Sequence, residues 1–200
     1  MNKEIKLLVT TASFYILAIG MLMPFYAIFV GEINGDISLV GVSFSIFTLT
    51  AGIFVYFISK WEDHVHHKEK LLILSYGMRI FIFLSFIFIS KPYHLFITQF
   101  FLGIAEAISG PVFNTLYSTH LDKGKFTSEW GLLSTAFFVI SALAALVGGF
   151  IIKSLGFQSL FLLMAGISAV SFFVSIYLYY IEKKKDKVEI LKEKLPSNKI

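Results

Sequence analysis

The chain has 200 residues, of which 56% are hydrophobic and 15% charged, with a mean hydropathy of +0.79 and a formal net charge of +4. About 25% charge is usual for a soluble domain, so this composition describes an integral membrane protein. The positive charge sits in loops and tail rather than in a basic domain, which excludes a nucleic-acid interface. The absence of cysteine excludes a disulfide framework and thiolate chemistry.

Six apolar segments are long enough to cross a bilayer, at about 7–30, 39–59, 71–90, 95–118, 131–152 and 157–181. They define a six-helix membrane domain over 1–181 and a charged tail over 182–200. The first run follows lysines, as a signal peptide would. It is too long for a signal-peptide core and has no clear small-x-small cleavage site, so a retained first span is expected. The loops 31–38, 90–94 and 153–159 are short, and the second carries a proline outside the helices. The loops 60–70 and 119–130 carry most of the loop charge.

Fourteen lysines fall on the side of the termini and of the two longer loops, and only Lys91 and Lys153 fall on the other. The positive-inside rule then places both termini in the cytoplasm and the protein in the plasma membrane as a multi-pass span.

In the second segment Gly41, Ser45, Thr48, Gly52, Tyr56 and Ser59 recur at helical spacing, and in the fifth Ser134, Ser141, Ala145 and Gly149 do so. Small residues spaced in this way let helices approach closely, so Gly52 and Gly149 are expected at packing positions. The fourth segment adds stronger polarity. Gln99, Gly103, Glu106, Gly110, Asn114 and Tyr117 fall along one stripe, while Phe100, Phe101, Ile104, Ile108 and Val112 lie outside it. A glutamate at mid-membrane must face protein, water or a cation, so the stripe reads as the wall of a polar path, with Gly103 and Gly110 as points of close packing.

Arg79 is the one arginine of the chain. Counted outward from Pro92, Arg79 and Glu106 lie at the same depth, and pairing would offset part of their desolvation. Gln99, Glu106, Asn114 and Arg79 are therefore the candidates for a substrate or proton path. His64, His66 and His67 match no standard zinc spacing, and neither a metal nor a cofactor is expected. There is no nucleophile elbow, no phosphate-binding loop and no histidine deep in a span, which argues against an enzyme.

A weak internal repeat relates Gly20-x-x-x-Pro24 in the first segment to Ala107-x-x-x-Pro111 in the fourth. Each is followed by a loop and a helix opening at glycine, Gly41 or Gly131. Units of three spans must be inverted relative to one another, which is a ground plan of secondary transporters, with Pro24 and Pro111 as matched kinks.

With these features the chain resembles one six-helix half of the major facilitator superfamily. Gly20 and Pro24 look like that family's opening segment. The loop Ser59–Lys68 is similar to its Gly-x-x-x-Asp-Arg-x-Gly-Arg-Arg signature, with Asp63, His67 and Lys68 keeping acidic or basic character. Ser59 and His66 replace glycines there, and His64 replaces an arginine. Gln99 stands where the family usually has an arginine, and Ala144-Ala145-Leu-Val-Gly148-Gly149 stands where its drug antiporters have Gly-Pro-x-x-Gly-Gly. The resemblance implies an all-α half-bundle that moves a small solute by alternating access, with Asp63 as the acid of a charge clamp. Members of the family usually have two halves of like orientation. The expected partner is thus a second copy in a homodimer, or a second half-transporter. A non-transporting assembly partner, or a remnant of a longer transporter, is the alternative.

Overall fold

In the computed structural model, residues 3–194 are described. All regular structure among them is helical. It comprises α1 (Lys3–Gly20), a 3-10 turn (Met23–Phe25), α2 (Tyr26–Glu32), α3 (Ile37–Glu62), α4 (Glu69–Phe86), α5 (Pro92–His120) and α6 (Phe126–Lys194).

Local chemistry sets several of these boundaries. Pro24 interrupts the first segment as a 3-10 turn, because a proline ring cannot donate to the turn before it. Asp36 caps α3 by accepting the Leu39 amide at 2.9 Å. Pro92 opens α5 at a position where the missing N–H costs nothing. Gly156, at φ 77° and ψ 175°, breaks α6 into two arms that the hydrogen-bond pattern alone runs together. A left-handed φ suits glycine because it has no Cβ to clash.

Four helices are long and apolar enough to cross a membrane: residues 3–32, 37–62, 92–120 and 126–188. The sequence reading expected six spans. The difference lies in α4, shortened to 18 residues and charged at Glu69, Lys70 and Arg79, and in α6, where one long helix covers the expected fifth and sixth segments. The tail, expected as a separate element, continues the second arm of α6 to Lys194 without a break.

The helices pack around two apolar cores. One joins Met21, Phe29, Phe83, Phe86, Leu102 and Phe161, with Phe29 edge-on to Phe161 at a ring separation of 5.0 Å. The other joins Ile5, Leu8, Leu72, Tyr76, Val112 and Leu178 at the end of the bundle where the chain begins. At that same end Lys185 pairs with Glu4 at 2.6 Å and the Lys3 ammonium donates to the Tyr177 hydroxyl at 3.0 Å.

The tightest helix contact is between α1 and the first arm of α6. A Cβ on Gly148 would lie 2.3 Å from the Met21 carbonyl oxygen, and one on Gly20 would lie 2.9 Å from the Ala144 Cβ. The contact stripe is thus Ser141, Ala144 and Gly148, one residue off the predicted Ala145. Gly149 does meet the Phe25 ring at 3.0 Å, and Gly103 meets the α3 backbone, 2.7 Å from the Phe47 carbonyl oxygen. Gly52 and Gly110 are corrections: nothing lies within 4 Å of either, because both point away from neighbouring helices. The two prolines of the proposed repeat also differ, since Pro111 sits inside the continuous helix α5.

Candidate functional site

A cavity of about 660 Å³ lies between α1, α3, α5 and the first arm of α6. That volume is in the range of small-molecule sites, roughly 300–1,000 Å³. Phe44, Phe47, Phe86 and Phe137 supply aromatic walls, and Pro24 lies on its rim. Its polar groups are Tyr15, Tyr26, Thr48, Gln99, Glu106 and Ser141.

Two polar assemblies reach the cavity. In the first, the Gln99 amide donates to the Tyr26 hydroxyl at 2.6 Å, and Tyr26 donates to the Ser43 Oγ at 2.7 Å. Ser43 in turn donates to the Val40 carbonyl at 3.0 Å. Gln99 is buried, so this chain satisfies an amide that would otherwise be costly in an apolar setting.

The second assembly is the pair read from depth in the sequence. Arg79 is fully buried, and its Nη2 lies 2.7 Å from the Glu106 Oε2. The same nitrogen donates to the Ser109 Oγ at 2.9 Å, and Nη1 donates to the Ser75 Oγ at 2.6 Å. Ser75 and Ser109 both pass a proton donor on to the Ala105 carbonyl, so α4 and α5 are stitched through one backbone oxygen. The guanidinium carbon lies 4.1 Å from the centre of the Tyr15 ring and 5.4 Å from that of Tyr76. Such stacking suits the planar, weakly hydrated guanidinium.

Glu106 is held from one side only. Its Oε2 accepts from Arg79 and from the Tyr15 hydroxyl, the latter at 2.8 Å, while Oε1 accepts no hydrogen bond from the described residues. The side chain is 36% exposed and lines the cavity. One oxygen is thus fixed by groups on neighbouring helices, and the other is left without a hydrogen bond from the described residues.

The remaining predicted residues lie elsewhere. Arg79 sits behind the wall, screened by Tyr15, and does not line the cavity. Asn114 is exposed outside it, because the eight residues from Glu106 turn the helix by about 80° off the cavity face. Asp63 follows the last residue of α3, and its side chain makes no hydrogen bond or ion pair among the described residues. Lys68 donates instead to the Glu62 carbonyl at 2.5 Å. His67 faces Asp186 of the tail at 3.7 Å and Glu69 at 3.9 Å.

Sequence reasoning missed Tyr15, Tyr26, Ser75 and Ser109. Ser75 stands four residues before Arg79 and Ser109 three after Glu106, so helical spacing alone marks both. Nothing comparable marks the tyrosines, which come from the first segment.

Two comparisons bear on this site. Residues 8–200 match the sequence model of the Major Facilitator Superfamily. The chain is also 25% identical over 144 residues to YitZ of Bacillus subtilis (strain 168), named an uncharacterized MFS-type transporter. The aligned part covers 72% of this chain and 87% of that protein, so the relative is the shorter of the two.

Proposed function

Because the chain belongs to the Major Facilitator Superfamily, we propose that this multi-pass transporter moves a small solute by alternating access through the cavity beside Glu106. The observation that carries the reading is the half-held carboxylate: Oε2 is fixed by Arg79 and Tyr15, while the side chain lines a cavity of small-molecule size. A carboxylate so placed binds a proton or the cationic part of a solute, with Gln99 and Tyr26 as hydrogen-bonding groups farther along the same wall. Phenylalanine faces on the opposite walls favour a solute with apolar surface.

Six spans, as two inverted three-helix units, fit this role. In that arrangement α4 crosses with Arg79 neutralised by Glu106, and α6 crosses twice, turning at Gly156. The lysine bias places the termini and the charged loops in the cytoplasm.

The transporter works as a homodimer of half-size units. Exposed aromatic side chains flank the cavity on two helices, Phe44 on α3 and Phe137 on the first arm of α6. A second copy related by a two-fold axis would close the cavity on that side, and both copies would keep the same orientation.

Reconstitution into proteoliposomes, with a panel of radiolabelled solutes and a pH gradient imposed or absent, tests the transport reading. The expected result is saturable uptake of at least one solute, altered by the gradient. Subunit counting in native membrane tests the assembly, and a population of monomers alone would refute the dimer.

A further inference from the structure

Outside the cavity, a second polar cluster joins the α3–α4 loop to the tail at the end of the bundle where the chain begins. Consecutive side chains on extended backbone point to opposite faces. Here the chain bends at His66, and the rings of His66 and His67 come together edge-on with centres 4.9 Å apart. Asp186, on the tail part of α6, meets them both: its Oδ2 lies 4.0 Å from the His66 Nε2 and 3.7 Å from the His67 Nδ1. The three atoms lie within 4.8 Å of one another. The His67 ring is braced edge-on by Tyr179 at 5.4 Å.

A buried carboxylate stands beside the two rings. Glu69 is 6% exposed, and its Oε2 has no hydrogen-bond partner among the described residues, yet it stands 3.9 Å from the His67 Nδ1. An unpaired buried carboxylate oxygen is costly. Asp186 and Glu69 thus both stand beside the His67 ring, so two carboxylates and two imidazoles share one small region.

We propose that His66, His67 and Asp186 form a site for a divalent transition metal of the zinc class, with Glu69 beside it as charge partner. Imidazole nitrogen with carboxylate oxygen, and no thiolate, suits Zn²⁺, and also Ni²⁺ and Co²⁺. Tetrahedral bonds of about 2.0–2.2 Å put donor atoms about 3.4 Å apart, so atoms that lie within 4.8 Å of one another must close by up to about 1.5 Å. His66, whose side chain is 85% exposed, is free to supply most of that movement. The bound ion would clip the polar part of the tail to the loop between α3 and α4, adding to the apolar contact that Val65 of the loop already makes. The site does not depend on the transport reading.

The test is a Zn²⁺ titration of tag-free, full-length protein in detergent, read by competition with a chromophoric chelator. One ion per chain is expected. His67→Ala and Asp186→Asn should each weaken binding by about 10-fold or more, and Glu69→Gln by about 10-fold. His64→Ala should leave affinity unchanged, since the His64 ring contacts the end of α3 at the Lys60 carbonyl. His64, His67 and Asp186 lie on the loop or tail and Glu69 opens α4, so monodispersity on gel filtration and an unchanged melting temperature without metal confirm that each variant is folded. A second reading is amide exchange near Asp186, which Zn²⁺ should slow in the wild type and not in Asp186→Asn. No saturable binding, or equal binding in wild type and Asp186→Asn, overturns the site.

Discussion

Two polar clusters tie this bundle together, and they are built on opposite terms. Around Arg79 the hydrogen bonds are short, between 2.6 and 2.9 Å, and the groups stand on helices packed against apolar cores. Around Asp186 the contacts are long, between 3.7 and 4.0 Å, and the groups stand on a loop and an extended tail. In the apolar interior an unpaired charge has no water to fall back on, so Arg79 must find several partners at once. At the end of the bundle water competes, and each pair contributes little by itself. Depth in the membrane, rather than the number of charges, decides which cluster holds the fold.

The largest effect should follow from breaking the inner cluster. Arg79→Met leaves Glu106 without its cation and Ser75 and Ser109 without their donor. The expected cost is about 3 kcal/mol, the low end for a broken buried pair because Glu106 is partly exposed. Thermal unfolding in detergent should show this, and Arg79→Met with Glu106→Leu should recover most of it. If the double variant is no more stable than the single, the two residues do not act as a pair.

Next comes the helix contact that supports the inner cluster. Gly148→Ala forces a methyl against the Met21 carbonyl and should cost about 1–3 kcal/mol. Gly52→Ala, on an open face, should be neutral or stabilising by up to about 1 kcal/mol. Equal stability of the two variants would mean that α1 and α6 do not meet as described.

Tyr15→Phe is milder. It removes one hydrogen bond to Glu106 while keeping the ring over Arg79, for about 1 kcal/mol. The outer cluster should give the smallest change. Without added metal, Asp186→Asn should shift stability by no more than about 1 kcal/mol, as exposed ion pairs do. A larger loss would erase the contrast between the two regions.

The two clusters also differ in how far the sequence reveals them. Arg79 and Glu106 flank a short hairpin, so counting from Pro92 puts them at one depth, and the desolvation cost of each demands the other. Asp186 lies far along the chain from His67, with four helical segments between them, and no local spacing links them. The stripe on α5 was legible in its first half, where Gln99 and Glu106 stand two helical turns apart. It failed at Asn114, where small differences in angular phase add up. The packing stripe of α6 was placed one residue off for a related reason. Ala144, Ala145, Gly148 and Gly149 are all small, and only the facing backbone of Met21 selects between them. The superfamily itself was readable, because helix length, loop charge and the loop motif each constrain it separately.

The central claim is that the Glu106 carboxylate does more than hold helices together. In Glu106→Gln the amide oxygen still accepts from Arg79 and Tyr15, so the bundle should fold with a modestly lower melting temperature, while the charge facing the cavity is gone. Uptake into proteoliposomes of a solute that the wild type carries, measured side by side with this folded variant, tests the claim most directly. Loss of gradient-dependent uptake in Glu106→Gln is the predicted result; uptake equal to that of the wild type would contradict it.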